Sequence, residues 1–282
     1  MKLTKNEAQI FVPDAVPVAD AITRTTHMAI SAHQDDIEIM AAHGALECFG
    51  LKDKWFMGVV VTDGAGSPRD DLYASYTDEM MKEVRRLEQK KAAFVGEYSA
   101  QALLEYSSKE VKDAGNTELI AELAQLIKAA KPEFIYTHNL ADKHDTHVSV
   151  ALRIIAAIRT LDKAERPSKV YGCEVWRGLD WVNDDDKIVF DVAAHENVSM
   201  ALLGVFDSQI CGGKRYDLAS VGRRRANATY HASHGTDAST GINFGMDLTP
   251  LIEDDNLDPE AYVLGYIERF QADICGRVGK FK

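Results

Sequence analysis

The sequence has little of what marks secreted, membrane-spanning or nucleic-acid-binding proteins. Its four cysteines lie far apart and form no C-x-x-C pair, so neither a disulfide framework nor a cysteine zinc knuckle is predicted. No stretch approaches the roughly 20 apolar residues that span a bilayer, and the N-terminus lacks the apolar core of a secretory signal. A net charge of -12 argues against a partner with a phosphate backbone. We therefore expect a cytoplasmic protein without membrane or nucleic-acid partners, and the sequence leaves a homo-oligomer open.

The alternation of apolar runs and helical patterns predicts the fold class. Short apolar runs, typical of buried parallel strands, span residues 27–32, 56–62, 134–137 and 170–176, and a further strand is expected at 187–192. Helical patterns span residues 77–95, 117–130, 146–161 and 195–209, whereas residues 229–245 have the composition of a long loop. Such alternation favours an α/β, Rossmann-like, mostly parallel sheet flanked by helices, with a C-terminal extension.

A first polar cluster, SAHQDDIE at residues 31–38, comes directly after the first predicted strand. Its side chains are therefore expected at the carboxyl end of that strand, where open α/β sheets bind ligands. A histidine and two adjacent carboxylates offer zinc ligands and a base. Neighbouring residues that leave a strand point in different directions, so one aspartate can bind a metal while the other faces the bound water. The alternative is a turn in which Asp35 and Asp36 only cap the next helix.

A second cluster, THNLADKHDTH at residues 137–147, follows the strand predicted at 134–137. His144 and His147 are three residues apart, which puts them on one face of a helical first turn. Because both clusters follow predicted parallel strands, we expect them to converge on one metal site.

Both clusters resemble motifs of a known family. Residues 32–38 (AHQDDIE) are similar to the A-H-P-D-D-x-E motif of the PIG-L/LmbE-like N-acetylglucosamine deacetylases, and residues 144–147 (HDTH) are similar to their H-P-D-H motif. Residues 61–67 (VTDGAGS) resemble the family's T-x-G-x-x-G-S turn, and residues 85–88 (RRLE) resemble its R-x-x-E pattern. The likeness is weaker beyond residue 160, where residues 207–209 (DSQ) resemble part of an H-x-S-Q motif.

The resemblance implies a ligand set for one zinc ion per chain, with another divalent metal left open: His33, Asp36 and His147. It also implies Asp35 as the general base, His144 as the residue that stabilises the oxyanion, and Arg85 as a substrate contact. The expected activity is zinc-dependent removal of an N-acyl group, in the first instance N-acetyl, from an amino sugar or a related small molecule. Residues 1–282 would form one such domain, with the metal-site core at 27–160 and a substrate-shaping part at 161–282.

The sequence also departs from the family pattern. Thr146 stands where relatives have an aspartate after His144, and we expect Asp142, or in second place Asp145, to supply the carboxylate that keeps His144 protonated. Glu105 stands near the place of a substrate-binding aspartate in many relatives, which leaves the sugar open.

Two other functions remain as alternatives. One is a catalytically silent carbohydrate- or metal-binding protein on the same fold. The other is a nucleotide-dependent enzyme, which the incomplete glycine fingerprint at residues 64–66 disfavours. The pattern assigns no role to three further features: His231, His234 and the run Arg223–Arg225.

Overall fold

The structure is a computed structural model and describes residues 2–282. Across these residues eight strands form one sheet. The strands are β1 (Gln9–Phe11), β2 (His27–Ser31), β3 (Phe56–Thr62), β4 (Ala100–Tyr106), β5 (Phe134–His138), β6 (Lys169–Cys173), β7 (Ile188–Asp191) and β8 (Ile242–Asp247).

Helices cover both faces of this sheet, and two helices follow β8, the last strand in the chain. They are α1 (Val18–Thr23), α2 (Asp36–Met40), α3 (Ala42–Cys48), α4 (Asp78–Val95), α5 (Ser108–Lys112), α6 (Thr117–Ala130), α7 (Asp145–Arg159), α8 (Glu196–Gly204), α9 (Asp207–Ile210), α10 (Tyr216–Tyr230), α11 (Pro250–Glu253) and α12 (Pro259–Gly279). No helix within residues 2–282 combines the length and the apolar character needed to cross a bilayer.

The order of the strands places the ends of β2 and β5 side by side. The order is β1-β4-β3-β2-β5-β6-β8-β7; the run from β4 to β6 is parallel, whereas β1, β8 and β7 pair antiparallel at the two sides. The chain winds from β2 to β3 and β4 on one side, and later to β5 and β6 on the other. In open α/β sheets such a reversal of strand order is where ligands bind, beyond the carboxyl ends of the strands. The expected α/β, mostly parallel sheet is confirmed.

The apolar strands are buried because side chains pack on both sides of the sheet. All seven residues of β3 are buried. Val59 and Val61 belong to an apolar cluster that includes residues of α6 and α7, whereas Phe56 and Val60 belong to a second cluster with residues of α2 and α3. Successive side chains of a strand point to opposite faces, so a continuous apolar run fills two cores at once.

Several predictions of secondary structure were wrong in part. The region 229–245, expected to be a loop, contains the first residues of β8, which pairs with both β6 and β7. The helix expected at 195–209 is interrupted at Val205 and Phe206, between α8 and α9. The strand expected at 170–176 ends at Cys173, and the following residues leave the sheet. β4 was not predicted, although all of its residues are buried.

Candidate metal centre and active site

The turn after β2 separates the two aspartates of the first cluster. Asp35 has φ +82°, a left-handed conformation that is rare for residues other than glycine and is typical of functional turns. α2 begins at the next residue, Asp36. As a result the Asp36 carboxylate faces the histidines of the second cluster, whereas the Asp35 carboxylate faces Arg85. The two carboxylates therefore point in different directions, as the sequence predicted.

The loop after β5 brings the second cluster to the same edge of the sheet. Its Asn139 side chain is fixed at both ends, because the amide donates to the Cys173 carbonyl at 2.8 Å and its oxygen accepts the Ala141 N–H at 3.0 Å. α7 begins at Asp145, so His147 lies in its first turn and points back towards β2.

Three ligand atoms from the two clusters form a compact triangle. His33 Nδ1 lies 3.1 Å from His147 Nε2 and 3.2 Å from Asp36 Oδ2, and the last two atoms are 3.3 Å apart. Zinc bonds of about 2.0–2.1 Å in tetrahedral geometry place ligand atoms about 3.3 Å apart. The donors are two imidazole nitrogens and one carboxylate oxygen, a set that suits zinc and leaves one position for water or substrate. These three residues could therefore hold a divalent metal ion.

Two further histidines lie close to this triangle. Ligand atoms lie within 4.8 Å of one another in two overlapping sets: His33, His144 and His147, and Asp36, His138 and His147. His138 is the less suitable ligand of the two, because its Nε2 accepts the Ala32 N–H at 2.8 Å and its ring stacks on His147 at 3.9 Å. His144 borders the open cavity, where it can reach a bound substrate.

The side chain of Asp142 contacts the ring of His147 and the backbone of His144, but not the ring of His144. Its Oδ1 accepts the backbone N–H of His144 at 3.0 Å, and its Oδ2 lies 3.7 Å from His147 Nδ1. Within residues 2–282 no carboxylate oxygen lies within 4 Å of a ring nitrogen of His144. The expectation that Asp142 or Asp145 keeps His144 protonated is therefore wrong. A carboxylate behind a metal-binding histidine orients the ring, and Asp142 is placed to do this for His147.

Asp35 is held by a buried chain of charged groups. Arg85, whose side chain is 1% exposed, places Nη2 2.9 Å from Asp35 Oδ2 and Nη1 3.2 Å from Glu88 Oε2. Glu88 in turn accepts the N–H and the hydroxyl of Ser208, both at 2.7 Å. Arg85 also borders the cavity, so its substrate contact stays a prediction, but its hydrogen bonds are to the protein. Ser208 belongs to the DSQ segment that the sequence linked only weakly to the family.

The electrostatics give the two aspartates different protonation behaviour. Burial raises the pKa of Asp35 to about 7, an effect that Arg85 opposes and the Asp36 charge reinforces. Burial alone would also raise the pKa of Asp36, but the facing His147 and the hydrogen bond with His33 hold it well below its usual range. Asp36 is thus ionised, the state in which a carboxylate can bind a metal, whereas Asp35 can exchange a proton near neutral pH. Burial and the neighbouring His147 and His33 lower the pKa of His144, although the charges of Asp36 and Asp142 oppose this shift, so the neutral form of the ring is favoured.

A cavity of about 300 Å³ opens beside the three ligand atoms and Asp35. The turn at residues 63–67 forms one wall. Gly64 is required there, because its φ is +75° and an added Cβ would lie 2.6 Å from the Gln34 side chain. Sequence reasoning missed other residues that line the cavity, since they belong to no recognisable motif: Ser108, Lys112, Trp176, Lys214 and Tyr216.

The histidines and arginines to which the sequence pattern assigned no role do not line this cavity. Arg224 is buried and donates to the Ser199 hydroxyl and to backbone carbonyls of α2, so it ties α10 to α2. Arg223 donates to the Val175 carbonyl, and Arg225 forms an exposed ion pair with Glu196. His231 and His234 do not line the cavity either.

The fold is similar to that of several solved structures. GalB, the 4-carboxy-2-hydroxymuconate hydratase from Pseudomonas putida KT2440, aligns with a TM-score of 0.60 and 16% identity over 79% of this chain and 95% of its own. The N,N'-diacetylchitobiose deacetylase from Pyrococcus horikoshii aligns with a TM-score of 0.59 and 14% identity over 78% of this chain and 83% of its own. The A40926 pseudoaglycone deacetylase Dbv21 aligns with a TM-score of 0.56 and 16% identity over 80% of this chain and 98% of its own. At these identities the likeness concerns the fold.

The sequence itself matches one family model. No curated protein matches the chain significantly. Residues 28–158, however, match the model described as PIG-L: GlcNAc-PI de-N-acetylase. This range includes β2 except for its first residue, β5, both polar clusters and the Arg85–Glu88 segment. Residues 28–158 therefore match a PIG-L family domain, and the family resemblance predicted from the motifs is confirmed.

Proposed function

We propose that the chain is a zinc-dependent hydrolase that removes an N-acyl group, in the first instance acetyl, from an amino sugar or a related small molecule. The observation that carries this proposal is the triangle of His33, Asp36 and His147 beside a cavity that Asp35 also borders. The family match and the two structural neighbours described as deacetylases support it.

Two problems have to be solved to cleave an amide: water is a weak nucleophile, and the amine is a poor leaving group. A zinc ion held by His33, Asp36 and His147 would supply Lewis acidity, which lowers the pKa of water from 15.7 to about 7. Asp35 would take the proton of the attacking water and return it to the departing nitrogen. A pKa raised to about 7 by burial suits a group that must both accept and donate.

The surrounding side chains fix Asp35 for this exchange. Arg85 occupies its Oδ2, whereas no protein group in residues 2–282 donates to its Oδ1. That oxygen is therefore free to face a water molecule in the cavity. A neutral His144 can donate one ring N–H to the developing oxyanion, a role worth about 3–4 kcal/mol for one such donor. The products are a carboxylate, acetate in the first instance, and a free amine.

The test combines metal analysis with an assay of acid release. Purified protein should contain about one divalent ion per chain, and the zinc-loaded form should release acetate and free amine from N-acetylated sugars in equal amounts. Removal of the ion with a chelator should abolish release, and zinc should restore it. A fully loaded protein that releases no acid from N-acylated sugars would contradict the proposal and favour a silent binding protein or, as in the GalB neighbour, a hydratase.

A further inference from the structure

Aromatic rings and lysine side chains line part of the cavity. Trp176 and Tyr216 meet edge to face at 6.1 Å between ring centroids, and Lys214 Nζ lies 5.0 Å from the Trp176 ring. Lys112, at the end of α5, also lines the cavity. We refer to Lys112 and Lys214 as the cationic rim. None of these residues belongs to a family motif found in the sequence.

The position of Trp176 is tied to the metal centre. Its backbone N–H donates at 3.1 Å to Asp142 Oδ2, the oxygen that also faces His147. Lys214 lies in the turn between α9 and α10, directly after Gly213 with its φ of +104°. The Trp176 ring and the Lys214 ammonium group are therefore placed by backbone structure that packs against the active site. A substrate bound at the metal would extend past them.

Two of the cations that line the cavity have no carboxylate partner among the described residues. Within residues 2–282 no carboxylate oxygen lies within 4 Å of Lys112 or Lys214, whereas several lysines elsewhere, such as Lys54 and Lys187, form ion pairs. The acidic residues at the cavity are already matched, since Asp35 pairs with Arg85 and Asp63 lies 3.3 Å from Lys82. The cavity is lined by three carboxylates and three cations, but of these cations Lys112 and Lys214 have no carboxylate partner in the described part of the protein and can take one from a ligand. Such a patch attracts anions.

We infer that the cationic rim binds an anionic group, a carboxylate or a phosphate, carried by the N-acylated substrate, and that Trp176 packs against the substrate ring. The inference rests on the proposed function, because it names the substrate class of the same site. It divides the cavity into two parts. The triangle of ligands and Asp35 act on the acyl group, and the cationic rim holds the anionic end.

The kinetic test compares sugars that share the N-acetylglucosamine ring and differ in the charged group that they carry. The zinc-loaded protein is assayed for acetate release from N-acetylglucosamine, N-acetylglucosamine 6-phosphate and N-acetylmuramic acid, which are neutral, a phosphate and a carboxylate respectively. We expect kcat/KM for at least one anionic sugar to exceed that for the neutral sugar by about tenfold or more at low salt, and this advantage to shrink as salt screens the lysines. The comparison of the two anionic sugars distinguishes a phosphate from a carboxylate.

Matched variants locate the effect. Lys112→Gln and Lys214→Gln should each raise KM for the preferred anionic sugar by about tenfold more than KM for the neutral sugar, with kcat less affected. Lys109→Gln is the control, because Lys109 is exposed on the same helix as Lys112 but does not line the cavity. It should leave both sugars unchanged. Equal losses on neutral and anionic sugars, or a preference for the neutral sugar, would overturn the inference.

A binding measurement separates this inference from the proposed function. By calorimetry, glucosamine 6-phosphate should bind the parent protein more tightly than glucosamine, and Lys112→Gln and Lys214→Gln should remove that difference at equal zinc occupancy. If acetate is never released yet this pattern is found, the proposed hydrolysis fails while the anion site stands. If acetate is released but neither lysine affects binding or KM, the anion site fails while the hydrolase stands. If neither is observed, both are wrong.

Discussion

Arg85→Met removes a cation that faces two buried carboxylates, those of Asp35 and Glu88, at 2.9 and 3.2 Å. The arginine side chain is only 1% exposed, so bulk water cannot take its place. Breaking a buried ion pair by removal of one partner costs about 3–5 kcal/mol. Because whole proteins are stable by about 5–15 kcal/mol, we expect this variant to lose a large part of its free energy of unfolding.

The loss should depend on pH. Burial raises the pKa of Asp35 to about 7 and also raises that of Glu88, while Arg85 opposes both shifts. Without Arg85 both folded-state pKa values rise further. A carboxyl group with a raised folded-state pKa contributes stability below its unfolded pKa, and this contribution is lost as the pH rises through the folded value. The deficit of Arg85→Met should therefore be larger at pH 8 than at pH 5.

Urea unfolding of the metal-free protein at both pH values measures this deficit without any assay of activity. Arg85→Met combined with Glu88→Gln should lose less than the sum of the two single losses, because the double variant leaves one buried carboxylate unpaired instead of two. Arg225→Met is the control, since its ion pair with Glu196 is exposed and should contribute at most about 1 kcal/mol. A loss of that small size for Arg85→Met, or an equal loss at pH 5 and pH 8, would refute the reasoning. In that case a change confined to KM would favour a direct substrate contact.

Three further substitutions test the other groups. Asp35→Asn keeps the shape of the side chain but cannot accept a proton. The rate of acetate release should therefore fall by roughly 10²–10⁴-fold, while the metal content measured by elemental analysis stays the same. A loss of metal would instead indicate that Asp35 is the metal ligand and Asp36 the general base. His147→Ala removes one corner of the ligand triangle and should abolish both metal binding and activity, and full metal occupancy in this variant would show that the ligand set is wrong. Glu105→Gln should stabilise the protein at pH 8 but not near pH 4, because burial raises the pKa of Glu105 to about 7 and stability is lost as the pH rises through that value. Urea unfolding measures the difference, and an unchanged or lower stability at pH 8 would contradict the burial argument.

The sequence by itself determined the class of fold and the place of the site. The apolar runs that became β2, β3 and β5 are short and end in polar sequence, and those of β3 and β5 are rich in β-branched or aromatic residues, so they could be recognised without context. Two polar clusters followed two of these runs. Parallel strands end at one edge of a sheet, so their convergence followed from local patterns alone. By contrast, β4 and β8 lack such runs, and neighbouring strands rather than local preference make them strands.

Only the tertiary structure decided how the site residues are held and what surrounds them. The burial of Arg85 between Asp35 and Glu88, and the contact of Asp142 with His147 instead of the His144 ring, depend on distances that no sequence pattern encodes. The cationic rim is the clearest case. Lys112 at the end of α5 and Lys214 in the turn before α10 are about a hundred positions apart, and each alone resembles an ordinary surface lysine. They line one cavity because the chain crosses the sheet between them. The electrostatic potential in the cavity depends on which charges are close in space, not on their order along the chain.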